Sequence, residues 1–209
     1  MRPPAPYSRC AGRVPGATVT AVIDLAALAP VPTLVTPRLR LVPLGPEHLD
    51  PTWDALQDAE HMRLTGTRAT FTREQVLAHL ERVVLDDERG DWAITHADDG
   101  RYLGEVVLND LGADDRAMNV RIALAPGEPG RGYGTEAMTA VLDHAFDAVG
   151  LHRVGLDVFA FNPRAQRSYE KAGFVLEGRQ RDTLLWDGEW TDSVLMGVLA
   201  TDPRPTLRG

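Results

Sequence analysis

Apolar positions change their period along this chain, and the changes mark its elements. Over Val35–Leu44, Leu39, Leu41 and Pro43 alternate with Arg38, Arg40 and Val42, which predicts a half-buried strand. Gly45-Pro46 breaks it. Over Pro46–Glu60, Leu49, Trp53 and Leu56 recur at helical intervals, whereas His61–Phe71 is polar and reads as loop. A second helix opens at Thr72, its N-cap, with Gln75 at the capping-box position and Val76, Leu77, Leu80, Val83 and Val84 on its apolar face. Asp91–His96, Leu103–Leu108 and Asn119–Leu124 read as an antiparallel meander, the first two joined by a tight turn at Asp98–Arg101.

The period then lengthens again. Ala137, Met138, Val141, Leu142, Ala145, Phe146 and Val149 form one helical stripe, and Gly150 stops it. His152–Phe161 is a strand with Val154, Leu156, Val158 and Ala160 on one face. Asn162-Pro163 starts a further helix, with Asn as cap, Pro in the first turn and Gly173 at the end. Phe174–Leu176 reads as a short strand. Arg181–Trp186 and Trp190–Leu199 form a closing hairpin across Asp187-Gly188-Glu189. This order predicts an α/β (α+β) fold with a mixed sheet.

The length, 209 residues, suits one domain with tails. Residues 1–33 are rich in Pro and Ala and almost free of acids, and are expected to be a mobile extension. Within them, Val22–Ala29 has the pattern of a short element docked on the body. Residues 34–200 form the folded domain, and 201–209 a polar tail expected to fray. A net charge of −8 argues against nonspecific nucleic-acid binding and is compatible with an amine substrate. Cys10 is the only cysteine, so neither an intrachain disulfide nor a cysteine zinc cluster can form. No apolar run is long enough to span a membrane. Residues 17–29 are interrupted by Asp24 and lack a basic flank, which argues against a signal peptide, so the cytoplasm is the expected location. His48, His61 and His79 have no paired metal-ligand spacing and read as exposed or locally bonded.

Candidate chemistry centres on Gly130-Arg131-Gly132-Tyr133-Gly134, directly before the long helix. Glycines let the backbone bring its amides close to a ligand, and a helix N-terminus favours an anion by about 0.3–1 kcal/mol per charge. A phosphate-bearing ligand is expected there. A Walker A loop is excluded, because no Lys follows the glycines. Gly132-x-Gly134-x-x-Ala137, with Asp157 further on, superficially fits a dinucleotide fingerprint. That motif belongs near the start of a doubly wound sheet, whereas here a meander precedes it.

Several separated blocks occur in a characteristic order. They are Gly-Arg-Gly-Tyr-Gly-Thr-Glu-Ala-Met from Gly130, Ala145-Phe146, Gly150-Leu151-His152-Arg153-Val154, Asn162-Pro163-Arg164-Ala165, and Ser168-Tyr169-Glu170-Lys171-Ala172-Gly173-Phe174. Together they resemble the GNAT acetyltransferase superfamily. Thr36-Pro37-Arg38-Leu39-Arg40-Leu41 and Asp187-Gly188-Glu189-Trp190-x-Asp192 are similar to its ribosomal-protein alanine N-acetyltransferase branch. The resemblance runs from about Leu34 to Leu199.

The resemblance implies a twisted, mostly antiparallel sheet with helices on both faces and splayed central strands. It implies acetyl-CoA as co-substrate, with no metal required. Backbone amides of Gly130, Arg131, Gly132, Tyr133, Gly134 and Thr135 would hold the pyrophosphate, while Ile122 and Leu124 would bond the pantetheine arm, with Asn162 at the mouth of the gap and Ser168 as a further cofactor-binding residue. Tyr169 matches the family tyrosine near the thioester sulfur, where a phenol can protonate the leaving thiolate. An oxyanion would be met by an amide near Ala123 or Leu124. Two departures stand out. Asn119 occupies a position where many relatives carry a glutamate base, leaving Glu105 and Asp110 as substitutes by location, although Glu105 also reads as an ordinary exposed strand residue. Pro129, where Gln or Arg is common, removes one amide donor.

The implied reaction is direct acetyl transfer from acetyl-CoA to a primary amine, either a protein N-terminus or a small molecule, without a covalent enzyme intermediate. Partners are that amine and, at most, a second copy in a homodimer; neither nucleic acid nor membrane is expected. Asn119 and Pro129 leave open a noncatalytic acyl-CoA-binding protein, and the glycine pattern an NAD(P)-dependent oxidoreductase. Pro46–Phe71 and the Trp186–Trp190 hairpin border the expected amine side.

Overall fold

The computed structural model describes residues 23–206. One sheet of eight strands organises the chain: β1 (Leu34–Val35), β2 (Leu39–Pro43), β3 (Gly90–His96), β4 (Tyr102–Gly112), β5 (Ala117–Leu124), β6 (Arg153–Phe159), β7 (Val175–Trp186) and β8 (Glu189–Leu199). Their spatial order is β1-β2-β3-β4-β5-β6-β8-β7, and every neighbour pair is antiparallel except β5–β6. Helices cover both faces, as expected. On one, α4 (Tyr133–Asp147) and α5 (Pro163–Lys171) bury Trp92, Ile94, Leu108, Met138, Leu142 and Leu156 in the main core. On the other, α1 (Leu49–Ala55) and α3 (Arg73–Val83) close a smaller core around Leu44, Val76, Leu80 and Ala93.

Several expected boundaries move, each for a local reason. The strand expected over Val35–Leu44 divides because Thr36 turns the chain: its Oγ1 accepts from Leu39 N–H at 3.0 Å. The helix expected over Pro46–Glu60 begins as a 3-10 turn at Pro46–His48 and ends with α1. Part of the expected loop His61–Phe71 is instead α2 (Ala59–Thr65), capped by Asp58, whose Oδ1 accepts from His61 N–H at 2.7 Å, and ended by left-handed Gly66. The capping box at Thr72 and Gln75 is present, with bonds of 3.3 and 2.8 Å. β4 continues past Leu108, since Asn109 pairs with Asn119. β7 is a single strand across the stretch expected to separate two, with register shifts at Leu176/Gly178 and Gln180/Leu184.

Residues 23–33 lie across α4. Asp24 N–H donates to the Val149 carbonyl at 2.9 Å, Leu28 is fully buried, and Trp92 Nε1–H donates to the Pro32 carbonyl at 2.8 Å. At the other end Arg204 pairs with Asp143 and Asp147 of α4. Cys10 lies outside the described residues.

Candidate active site

β5 and β6 run parallel through only three residue pairs, Ala117↔Arg153, Met118↔Val154 and Asn119↔Gly155. Beyond Asn119 they part, while β6 stays paired with β8 as far as Phe159. Ala125 N–H donates to the Leu103 carbonyl at 2.8 Å, so Ala125 faces β4. Antiparallel alternation then turns the backbone groups of Leu124, and of Ile122 two residues earlier, towards the gap. Asn119 is thus the last paired residue before the sheet opens.

The glycine loop closes one end of this gap. Gly132, at φ 83°, caps α4 in a left-handed conformation that strains any side-chain-bearing residue. The first bond of the α4 ladder runs from Glu136 N–H to the Gly132 carbonyl at 3.1 Å, leaving the amides of Tyr133, Gly134 and Thr135 ahead of it. A Cβ on Gly134 would meet Leu124 Cδ1 at 3.5 Å, Ser168 Oγ at 3.8 Å and Ile122 Cδ1 at 3.9 Å. Bare backbone therefore faces the start of the gap. Thr135 Oγ1 and Ser168 Oγ, 2.8 Å apart, tie α4 to α5. Asn162 caps α5, its Oδ1 accepting from Ala165 N–H at 3.1 Å. Arg131 is exposed, 3.8 Å from Glu128. Tyr133 is buried, under the Arg38 guanidinium and edge-on to His96.

What fixes this loop is Thr36-Pro37-Arg38. Glu136 accepts from Thr36 Oγ1 at 2.6 Å, Arg38 N–H at 2.9 Å and Arg38 Nε at 2.7 Å, with Arg38 Nη2 2.6 Å away. Arg38 Nη1 also donates to the Arg131 carbonyl at 3.0 Å. Burial alone would raise the Glu136 carboxyl, but these donors hold it below the ordinary carboxylate range. Sequence reasoning assigned Arg38 and Glu136 no role. The signal available was a Thr-Pro-Arg turn without a purpose and a glutamate in the first turn of an apolar helix.

At the opposite lip Glu105, on β4, lines a recess of ≈ 30 Å³ together with Thr52, Leu56, His61, Tyr102 and Ala123. That is room for about one water or one ammonium group. A wider cleft, ≈ 490 Å³, adjoins it along Pro51, Asp54, Gln57, Asp58 and Tyr102. The reading of Glu105 as exposed is therefore corrected: the carboxyl faces an enclosed recess. Burial, with the nearby Asp91 carboxylate, pushes it up to about 7 against the opposing pull of Arg89. Asp110 is not among the residues lining the recess; it is exposed, with φ 56°. Across the gap, Tyr169 on α5 is half-buried and edge-on to Phe174 at 6.0 Å. Burial and the Asp157 charge push its phenol up to about 12, so it is protonated at neutral pH.

His61, expected to be exposed or locally bonded, is partly buried, and its Nδ1 lies 3.3 Å from the carbonyl of Leu124, 63 residues away. The hairpin tryptophans do not line the recess, and Trp190 is largely exposed. Among the described residues, no group of three or more His, Cys, Asp or Glu could hold a metal ion. No described helix is long and apolar enough to cross a membrane.

Residues 38–175 match the family model described as Acetyltransferase (GNAT) domain. The chain belongs to the GNAT acetyltransferase family. This GNAT chain is 33% identical over 132 residues to "Probable N-acetyltransferase YjcK" of Bacillus subtilis, covering 62% of this chain and 72% of that relative. It is 33% identical over 76 residues to the [ribosomal protein uS5]-alanine N-acetyltransferase of Escherichia coli, covering 36% of this chain but only 39% of the relative. Its fold is shared with the spermidine N-acetyltransferase of Vibrio cholerae, solved in complex with CoA and spermine, at a TM-score of 0.73 and 23% identity over 78% of this chain and 96% of that one. The GNAT fold and the N-acetyltransferase relatives make this an acetyl-CoA-dependent N-acetyltransferase that acts on an amine. The free amides, the bare Gly134 backbone and the unpaired edge of β5 fit an extended, phosphate-bearing co-substrate of that kind.

Proposed function

We propose that this enzyme acetylates a primary amine that enters over α1 and α2, on the lip of the gap opposite the glycine loop. The observation that carries this reading is the recess at Glu105, opening beside the unpaired edge of β5. Amides from Gly130 to Thr135 bind the pyrophosphate, and Arg131 is free to swing towards it. Backbone groups of Ile122 and Leu124 bind the pantetheine amides, and Asn162 and Ser168 border the far side. Acetyl-CoA supplies an activated carbonyl and a thiolate leaving group.

The remaining chemistry is proton handling. Glu105, poised near neutrality, receives the ammonium and takes a proton from it, which frees the nitrogen lone pair. Asn119 cannot titrate and marks where the strands part. Tyr169 delivers a proton to the departing sulfur and is reprotonated through water. Asp54 and Asp58 along the outer cleft favour a cationic acceptor, either a small polyamine or a basic protein N-terminus. Exposed Val175 and Leu176 on the outer β7 edge are where a second copy would pair in a homodimer.

Thiol release from acetyl-CoA over a panel of primary amines, with wild type and Tyr169→Phe, tests the reaction. Turnover with at least one amine, lowered about 10²–10⁴-fold in the variant, is the expected result. CoA binding without turnover for any amine would instead support the noncatalytic acyl-CoA-binding reading that Asn119 and Pro129 leave open.

A further inference from the structure

The short helix α2 bridges both lips of the gap. At one end His61 reaches the Leu124 carbonyl at the close of β5. At the other, the Arg63 guanidinium lies 4.2 Å from the ring centroid of Phe161, just past β6. Gly66 lies against the ring of Phe159, leaving no room there for a Cβ, and Phe159 stacks on Phe161 at 5.4 Å. With Asp58 capping its start, the helix has little freedom to shift, and the His61 ring is held in the wall of the Glu105 recess.

The bond to Leu124 sets the tautomer of the ring. A carbonyl only accepts, so Nδ1 carries the hydrogen, and in the neutral ring Nε2 keeps its lone pair. Burial holds the imidazole below its ordinary range, against the opposing effects of the Leu124 carbonyl and Asp58. The ionisable neighbours in the recess are Glu105 and Tyr102 on β4; Asp58 precedes α2, and Asp54 on α1 lies in the adjoining cleft.

The chemistry needs such a group. A primary ammonium sheds two protons on its way to an amide, one before its nitrogen can attack and one after the C–N bond forms. Resting on the acetyl-transfer reading above, we propose that His61 is a second catalytic base, sharing with Glu105 the two protons that the amine nitrogen releases. In each transfer an N–H bond of the substrate breaks, its electron pair stays on nitrogen, and the proton bonds either a Glu105 carboxylate oxygen or His61 Nε2. One of the two protons returns through water to Tyr169, replacing the one given to the sulfur as the C–S bond breaks. The other leaves by the outer cleft, giving the single net proton that the reaction releases.

Two variants separate this role from a positioning one. His61→Asn keeps a donor for the Leu124 carbonyl but has no base in the working range, whereas His61→Ala loses both and leaves space for added imidazole. The expected result is a kcat at pH 7 at least tenfold lower in both variants. The amine KM stays within about twofold, CoA affinity by calorimetry is unchanged in His61→Asn, and imidazole partly rescues His61→Ala. In the wild-type protein without substrate, ring nitrogen-15 shifts should show a neutral His61 protonated on Nδ1 at pH 7. Loss of activity in His61→Ala with full activity in His61→Asn would overturn the proposal and leave His61 as a support for Leu124. Full activity in both would overturn it as well. Neither result touches the acetyl-transfer reading, which fails only if the wild type acetylates no amine.

Discussion

On the glycine-loop side of the gap, one buried carboxylate, Glu136, gathers the Thr36 hydroxyl, a backbone amide and the Arg38 guanidinium. On the amine side, His61 contributes a single bond of 3.3 Å from a helix of seven residues. The first lip is fixed before any ligand arrives, as would suit the pyrophosphate proposed to bind there. The second is built from the two short helices α1 and α2 and from the later strand β4, with an open cleft beside them. On the proposed assignment, that is the side where acceptor specificity would vary most freely. The contrast also separates charge from burial. Glu136 is buried yet ionised because donors surround it, whereas Glu105 is walled in with no close cation of its own and sits near neutrality.

The contrast would break most sharply at Gly134. In Gly134→Val the branched side chain crowds Leu124, Ser168 and Ile122, and calorimetry should show CoA affinity falling about tenfold or more, with little change in thermal stability. An unchanged affinity would mean that the ligand does not approach this backbone. Next comes Arg38→Ala, which leaves Glu136 with fewer donors. A loss of about 1–2 kcal/mol at pH 7 is expected, modest because the guanidinium is half-exposed, together with weaker CoA binding. Glu136 has a depressed folded-state pKa, so its contribution is present above the ordinary carboxylate range and fades as pH falls through the lower folded value. Urea titrations should therefore show wild type and variant converging in acid.

The smallest effect is expected at Glu105, with the opposite sign. Its folded-state pKa is raised, so the fold favours the protonated form, and stability is lost as pH rises from the ordinary carboxylate value through about 7. Glu105→Gln should match wild type near pH 4 and exceed it by about 1 kcal/mol at pH 8, below the roughly 3 kcal/mol of the full shift because the carboxyl is partly accessible from the outer cleft, read as a Tm higher by a few degrees, while catalysis falls. Equal stability at both pH values would show that the recess is wetter than its lining implies.

The glycine-loop side was largely legible in the sequence because its parts are local. The glycines before α4 and the Asn162 cap of α5 each act within a few residues. What holds them together was not legible: Arg38 and Glu136 are 98 residues apart, and no local pattern links them. The amine side was hidden for two reasons. Seven residues cannot display a full apolar stripe, so α2 read as loop, and His61 finds its carbonyl 63 residues away. Likewise β7 looked broken because Glu177–Asp182 lies mostly exposed at the sheet edge, where no buried face imposes alternation.

The three-pair seam between β5 and β6 also divides the backbone bonding of the molecule in two. Residues Arg153 to Leu199 carry β6, α5, β7 and β8 as one contiguous stretch, and little backbone bonding ties that stretch to the rest of the sheet. What ties the two units together is then mainly the shared apolar core, where Val154, Leu156 and Met196 pack with Met138 and Leu142 of α4. A ligand lying along the gap would act as a missing strand, stitching the two units into one. Its imprint on slow amide exchange would then spread across β6 and β8, well beyond the glycine loop.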